Sequence, residues 1–153
     1  MRSLAPGVVR TRAGRRIAAD PTSTALLVAG PAALELWPGV RRVGAVADRV
    51  LVEAEIPAQP GATAATVLIQ PPRRTPTSYV TRFEWVGPSL PATRGALTLS
   101  YAPGEQGPTT AASLVLDSEG VLDSALSGRR LQVLADGFLD NLARLAESRS
   151  RAA

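Results

Sequence analysis

RRIAADPTSTALLVAGPAALELWPGVRRV, residues 15–43, is the stretch whose reading decides the fold. Asp20 followed by Pro21 marks a helix start: an aspartate accepts hydrogen bonds from the free N–H groups of a first turn, and proline there gives up an N–H that has no partner anyway. Gly30 and Pro31 stop this helix, and a second short helical turn over residues 32–36 is ended by Pro38 and Gly39. Upstream, in VVRTRAGRRIAA (8–19), Val9, Thr11, Ala13 and Ile17 alternate with Arg10, Arg12 and Arg16, the period of a half-buried strand. Trp37 stands directly against the stop. The expectation is that it plugs this corner onto the sheet, near a cavity mouth at most, and marks the fold rather than the chemistry.

Downstream of Gly39 the pattern changes to short alternating runs with Gly and Pro between them. Strands are expected over 40–46, 49–56, 64–70, 78–86, 94–101 and 109–117, with turns at 47–48, 57–63, 71–77, 87–93 and 102–108. Prolines are expected in the turns and not inside the strands, because proline cannot donate to a ladder. From Ser127 the period becomes helical, and Leu131, Leu134, Ala135, Phe138, Leu142 and Leu145 form one apolar stripe. The tail ESRSRAA is expected to fray.

Composition narrows the chemistry. At 153 residues the chain fits a single domain with a real core. Cysteine and histidine are both absent, which removes disulfides, thiolate and imidazole metal sites, and catalytic dyads or triads built on either residue. No metal and no cofactor is expected. No apolar run is long enough to span a membrane, and the N-terminal residues lack the apolar core of a secretory signal, so the expected location is the cytoplasm. Five arginines (Arg2, Arg10, Arg12, Arg15 and Arg16) precede any acid, leaving 12 basic against 13 acidic residues downstream. Basicity is therefore local, and without a nucleic-acid motif or a basic face carrying stacking aromatics, no nucleic-acid partner is expected.

One strand, two short helices, six antiparallel strands and one long helix form an α+β arrangement. The seven-stranded sheet must curl around the single helix and leave an apolar gap, a default ligand site. On the residues of 15–43 and on the closing helix GRRLQVLADGFLDNLARLAE (128–147), the chain resembles START-like, or SRPBCC, helix-grip domains. In these, an apolar–Ala–Asp–Pro signal leads through two small helices and a Trp-Pro turn into the second strand. The likeness covers about residues 8–147. It implies a seven-stranded curved antiparallel sheet around a C-terminal helix and a cavity for a hydrophobic molecule, lipid-like, aromatic or polyketide-like. It permits catalysis of the polyketide cyclase or aromatase kind.

The candidate ligand-binding residues follow from faces. Tyr79, Phe83 and Trp85 share one face of SYVTRFEWV with Thr81, while Arg82 and Glu84 point the other way. Leu99 and Tyr101 continue a neighbouring strand, and Leu131, Leu134 and Phe138 form the facing helix wall. Each set also reads as plain core packing. Tyr79, Tyr101 or Arg82 are the groups a cyclase would use, although no catalytic residue is assigned. Arg73, Arg74, Arg82 and Arg94 are possible carboxylate anchors. Glu53 and Glu55 read as a solvated outer face, and DSEGVLD (117–123) reads as a turn, not a calcium loop, since it lacks that motif's ligand spacing. A noncatalytic regulatory or interaction protein is the third function class left open.

Overall fold

Alternation in the first strand survives in three dimensions. The computed structural model describes residues 7–55, 62–87, 90–105, 107–120 and 124–152. In β1 (Gly7–Ile17), Thr11 and Ile17 are buried and Val9 and Ala13 half-buried, while Arg10, Arg12 and Arg16 are exposed. Helix α1 (Pro21–Leu27) begins on Asp20, whose carboxylate accepts from the Ser23 N–H at 3.0 Å. The buried Thr24 hydroxyl donates to the Asp20 carbonyl at 2.8 Å, and Thr110 donates to the Ala19 carbonyl at 2.7 Å, so the corner is tied both to the helix and to the sheet. A 3-10 helix (Pro31–Leu36) follows.

Residues 37–40 then form a tight turn. Val40 N–H donates to the Trp37 carbonyl at 3.1 Å, with Pro38 and Gly39 in the two central positions. Gly39 has φ +74°, and a Cβ there would lie 2.8 Å from the Glu55 carbonyl oxygen. This is the pattern of a type II turn, which takes proline and then glycine for these reasons.

The rest of the sheet is β2 (Val40–Val46), β3 (Arg49–Glu55), β4 (Ala62–Ile69), β5 (Arg73–Arg74), β6 (Ser78–Gly87), β7 (Leu90–Gly104) and β8 (Gly107–Gly120), closed by α2 (Ser124–Ala152). All pairings are antiparallel, in the order β1-β8-β7-β6-β4-β3-β2, with the two-residue β5 beside β6. The expected seven strands thus become eight, and α1 with the 3-10 helix carries the chain from one edge of the curved sheet to the other. Helix α2 lies along β1, where its polar residues meet that strand and its end. Gln132 donates to the Arg12 carbonyl at 3.1 Å, Glu147 accepts from the Ala18 N–H at 2.9 Å, and Arg15 pairs with Asp140 at 2.6 Å. A free strand edge is thereby covered.

Three expectations are corrected. β7 and β8 are longer than 94–101 and 109–117, and prolines do enter them: Pro103 faces Pro108 in the final rungs. A proline pair is tolerated where opposite residues exchange no backbone hydrogen bond. Asp117 to Gly120 belong to β8 and not to a turn, held by the ladder with β1. Finally, α2 begins before Ser127 and stays helical to Ala152, through the tail expected to fray. Arg2, Ile56, most of the turn at 57–63, Gln106 and positions 121–123 lie outside the described residues.

Gly137 explains how the helix sits. A Cβ on it would stand 2.3 Å from Pro38 Cγ, so α2 and the Trp-Pro turn are in direct contact. Gly137→Ala should therefore destabilise the protein by about 1–3 kcal/mol through overpacking, although alanine favours an isolated helix by about 1 kcal/mol. Urea unfolding of Gly137→Ala, of Pro38→Ala and of the double variant checks it: the double should lose less than the sum of the two singles.

Acid sensitivity is also written into the fold. The Asp20 carboxyl is held below its ordinary value of 3.8 by hydrogen bonds from the Ser23 side chain and then its N–H. Asp117 is lowered by the Arg10 guanidinium. A depressed folded-state value gives stability that is full above the unfolded value and is lost as pH falls through the folded one. Unfolding midpoints should accordingly drop on acidification below about pH 4, and Asp20→Asn, which keeps a capping oxygen, should flatten that dependence.

Candidate functional site

The concave face is built by register. Tyr79 faces Leu99, Thr81 faces Leu97, Phe83 faces Gly95 and Trp85 faces Thr93 across β6 and β7. Leu97 faces Leu114 and Leu99 faces Ala112 across β7 and β8. Opposite residues in an antiparallel pair share a face, so the expected aromatic row does point to the helix side. Gly95 makes room for it: a Cβ there would lie 2.2 Å from Phe83 Cζ.

Four rings meet on this face. Trp37 is 6% exposed and stacks on Phe138 of α2, with ring centroids 4.5 Å apart and planes at 30°. It meets Phe83 and Trp85 edge-on at 5.6 and 5.8 Å. These are the offset and T-shaped arrangements that the ring quadrupoles favour. Asn141, one turn beyond Phe138, donates to the Leu36 carbonyl at 2.7 Å and satisfies the end of the 3-10 helix.

The expected gap between sheet and helix is small where these rings converge. Trp37, Phe83, Phe138, Ile69, Leu97 and Thr81, with Val28 at the end of α1 and Ala33 and Leu34 of the 3-10 helix, bound about 20 Å³. That holds roughly one water molecule. Trp37 plugs the corner onto the sheet as expected, against Phe83 and Trp85, but it lines the gap itself instead of standing near a mouth. Its neighbour Pro38 is what the sequence shows; the direction of the indole depends on Gly137 and Phe138, about a hundred residues away.

The other expected wall residues divide. Leu99 is buried, and Leu131 and Leu134 are half-buried against the core. Tyr79 is half-buried, its hydroxyl 3.0 Å from that of Thr22 on α1. Tyr101 is a correction: it is 63% exposed, on a stretch of β7 beyond its core rungs, and its ring does not join the others. Arg73, Arg74, Arg82 and Arg94 are all exposed and take no part in the concave face. Glu53 pairs with Arg41 on the solvated face expected for it, and Glu55 is exposed.

Arg130, which the helical period places off the apolar stripe with the other charged residues, stands out in the structure. Its Nε is buried without a hydrogen-bond partner. It lies one helical turn before Leu134 and two before Phe138, hence on the same side of α2. Leaving a charged group's N–H unpaired costs about 1–3 kcal/mol or more, and such a group calls for an explanation. Its i, i+4, i+8 spacing to Leu134 and Phe138 was the available signal.

No family model and no curated protein matches the chain. Solved structures do. A protein of Thermus thermophilus matches with a TM-score of 0.65 at 16% identity, over 92% of this chain and 99% of the other. A conserved protein of Geobacillus kaustophilus gives 0.64 at 10%, over 90% and 94%. A truncated norcoclaurine synthase of Thalictrum flavum gives 0.59 at 11%, over 95% and 97%. Such full-length likeness at these identities speaks for architecture alone: the chain has the curved antiparallel sheet and long C-terminal helix of the helix-grip fold.

Proposed function

We propose that the protein binds a small, flat, hydrophobic molecule carrying a hydrogen-bond acceptor, between the concave face of the sheet and α2. The observation that carries this reading is the concentration of rings. Of the six aromatic residues in the chain, Trp37, Phe83, Trp85 and Phe138 form one cluster, and Tyr79 lies on the same face. Planar rings offer stacking surface to a planar ligand, and the 20 Å³ gap at their centre is where a ring displacement would admit it. Leu131 and Leu134 continue the wall beyond the gap and Leu99 backs it through Tyr79; the orphaned Arg130 Nε, outside the lining of the gap but on the same side of α2 as Leu134 and Phe138, is the donor assigned to the acceptor end once the ligand has entered. Binding is a displacement: the ligand takes over contacts that Trp37 makes in its absence.

Catalysis of the polyketide cyclase kind is the weaker alternative. The fold accommodates synthases, as the norcoclaurine synthase shows for itself. In this chain, however, the lining of the gap carries only the Thr81 hydroxyl and the Trp37 indole N–H as polar groups. Neither is an acid or a base at neutral pH.

Both tryptophans report on the cluster, so fluorescence titration with 1,4-naphthoquinone tests the proposal. Saturable quenching and a raised unfolding temperature are expected, with affinity reduced about tenfold in Arg130→Leu, the equivalent of one hydrogen bond to a charged group. No saturable response to the quinone, to naphthalene or to a fatty acid would end the reading.

A further inference from the structure

The opposite, outward face of the sheet carries a second candidate site. Its register lays down two adjacent cross-strand rows. The first runs Leu68, Glu84, Arg94, Asp117 and Arg10 from β4 to β1. The second runs Arg82, Ala96, Val115 and Arg12, from β6 to β1. Long charged side chains therefore surround a short one, Ala96. The result is an open depression of about 410 Å³ with Ala96, Val115 and Leu68 in its lining and Arg82, Arg94, Glu84 and Asp117 around it. That volume is within the range of small-molecule sites, roughly 300–1,000 Å³.

Its charges are not all spoken for. Arg10 holds Asp117 through two hydrogen bonds, Nε to Oδ1 at 2.7 Å and Nη2 to Oδ2 at 3.1 Å, so this acid is neutralised from the β1 side. Arg94 meets Glu84 only at 3.8 Å, beyond hydrogen-bond distance, with its side chain 80% exposed. The Arg82 guanidinium makes no hydrogen bond or ion pair among the described residues. Two guanidiniums against one uncommitted carboxylate leave a surplus of positive charge. Arg82 and Arg94 are diagonal neighbours on β6 and β7, about 7–8 Å apart at their origins, close enough for both forks to reach one anion.

We infer that this depression binds a small aromatic carboxylate, the ring lying flat on Ala96 and Val115 and the carboxylate held between Arg82 and Arg94. A flat apolar floor selects the ring, and two planar guanidinium donors select a carboxylate over a neutral group. The site opens on the other side of the same strands from the concave gap; Phe83 borders both, but Arg82, Arg94 and Ala96 do not line the gap.

The test uses 2-naphthoate, titrated into the isotopically labelled full chain and followed by the arginine side-chain Nε–H and alanine methyl NMR signals. Saturable shifts at Arg82, Arg94 and Ala96 are expected, weakened about tenfold or more by Arg82→Gln and by Arg94→Gln, and strongly weakened for the neutral 2-naphthamide. Ala96→Arg, which fills the floor from the solvent side, should abolish the shifts without lowering the unfolding temperature. Binding that survives both glutamine variants, or that holds equally for the amide, overturns the inference. Naphthoate binding lost in Arg130→Leu but kept in Arg82→Gln also overturns it, while supporting occupancy of the concave face. Absence of binding to 2-naphthoate here, with quinone binding intact, removes the outer site alone.

Discussion

The contact between the Trp37–Pro38 turn and helix α2 is the constraint on which the rest of the structure depends. The chain leaves β1 at one edge of the sheet and must enter β2 at the other, and the only material between them is two short helices. Neither helix is long enough to be stable alone. Their position is set at the ends: the Asp20 corner is tied by Thr24 and Thr110, and the far end by Pro38 against Gly137, Trp37 on Phe138 and Asn141 on the Leu36 carbonyl. Each of these contacts at the far end joins segments distant in sequence, so the crossover and the long helix form as one unit.

That arrangement also decides what the interior is. A single helix against a strongly curved sheet leaves a volume that side chains or a ligand must occupy, because an empty apolar space forfeits the dispersion contacts of its walls. Here Trp37 enters that volume from the crossover. An indole wedged among Phe83, Trp85 and Phe138 recovers those contacts, but it does so with a group anchored to a turn and not to a strand. A filler held by a type II turn moves with fewer broken hydrogen bonds than one held in a ladder. The same residue thus completes the core and is the one that the proposed binding mode displaces.

Much of this was legible in sequence. The Asp20–Pro21 start, the Pro38–Gly39 turn, the alternation of β1 and the helical stripe of α2 are local signals, and the structure repeats them within a few residues. The concave direction of Tyr79, Phe83 and Trp85 was legible for the same reason, since parity within a strand is a local property. Three features were not. The lengths of β7 and β8 depend on mutual pairing that continues past Pro103 and Pro108. The exposure of Tyr101 depends on how far covering elements extend along β7. The inward position of Trp37 depends on the absence of a side chain at Gly137, which in sequence is simply a glycine in a helix. Nothing in a one-dimensional pattern distinguishes that glycine from a weak helix position.

Register likewise gives the N-terminal arginines a direction that composition could not. Five arginines ahead of any acid read only as a locally basic segment. Placed on β1, Arg10 and Arg12 become the ends of two rows that cross the outward face, and one of them is consumed by Asp117. Asp117 in turn lies beside Arg94 in the register, and Arg94 beside Glu84. Because Arg10 engages Asp117 from the edge, Arg94 does not have to, and it stands 80% exposed with only a distant carboxylate for company. A charge supplied at one edge of the sheet therefore leaves a guanidinium available two strands away. The charge balance of the outward face is a property of the row, fixed by pairing, and not of the basic segment in which it begins.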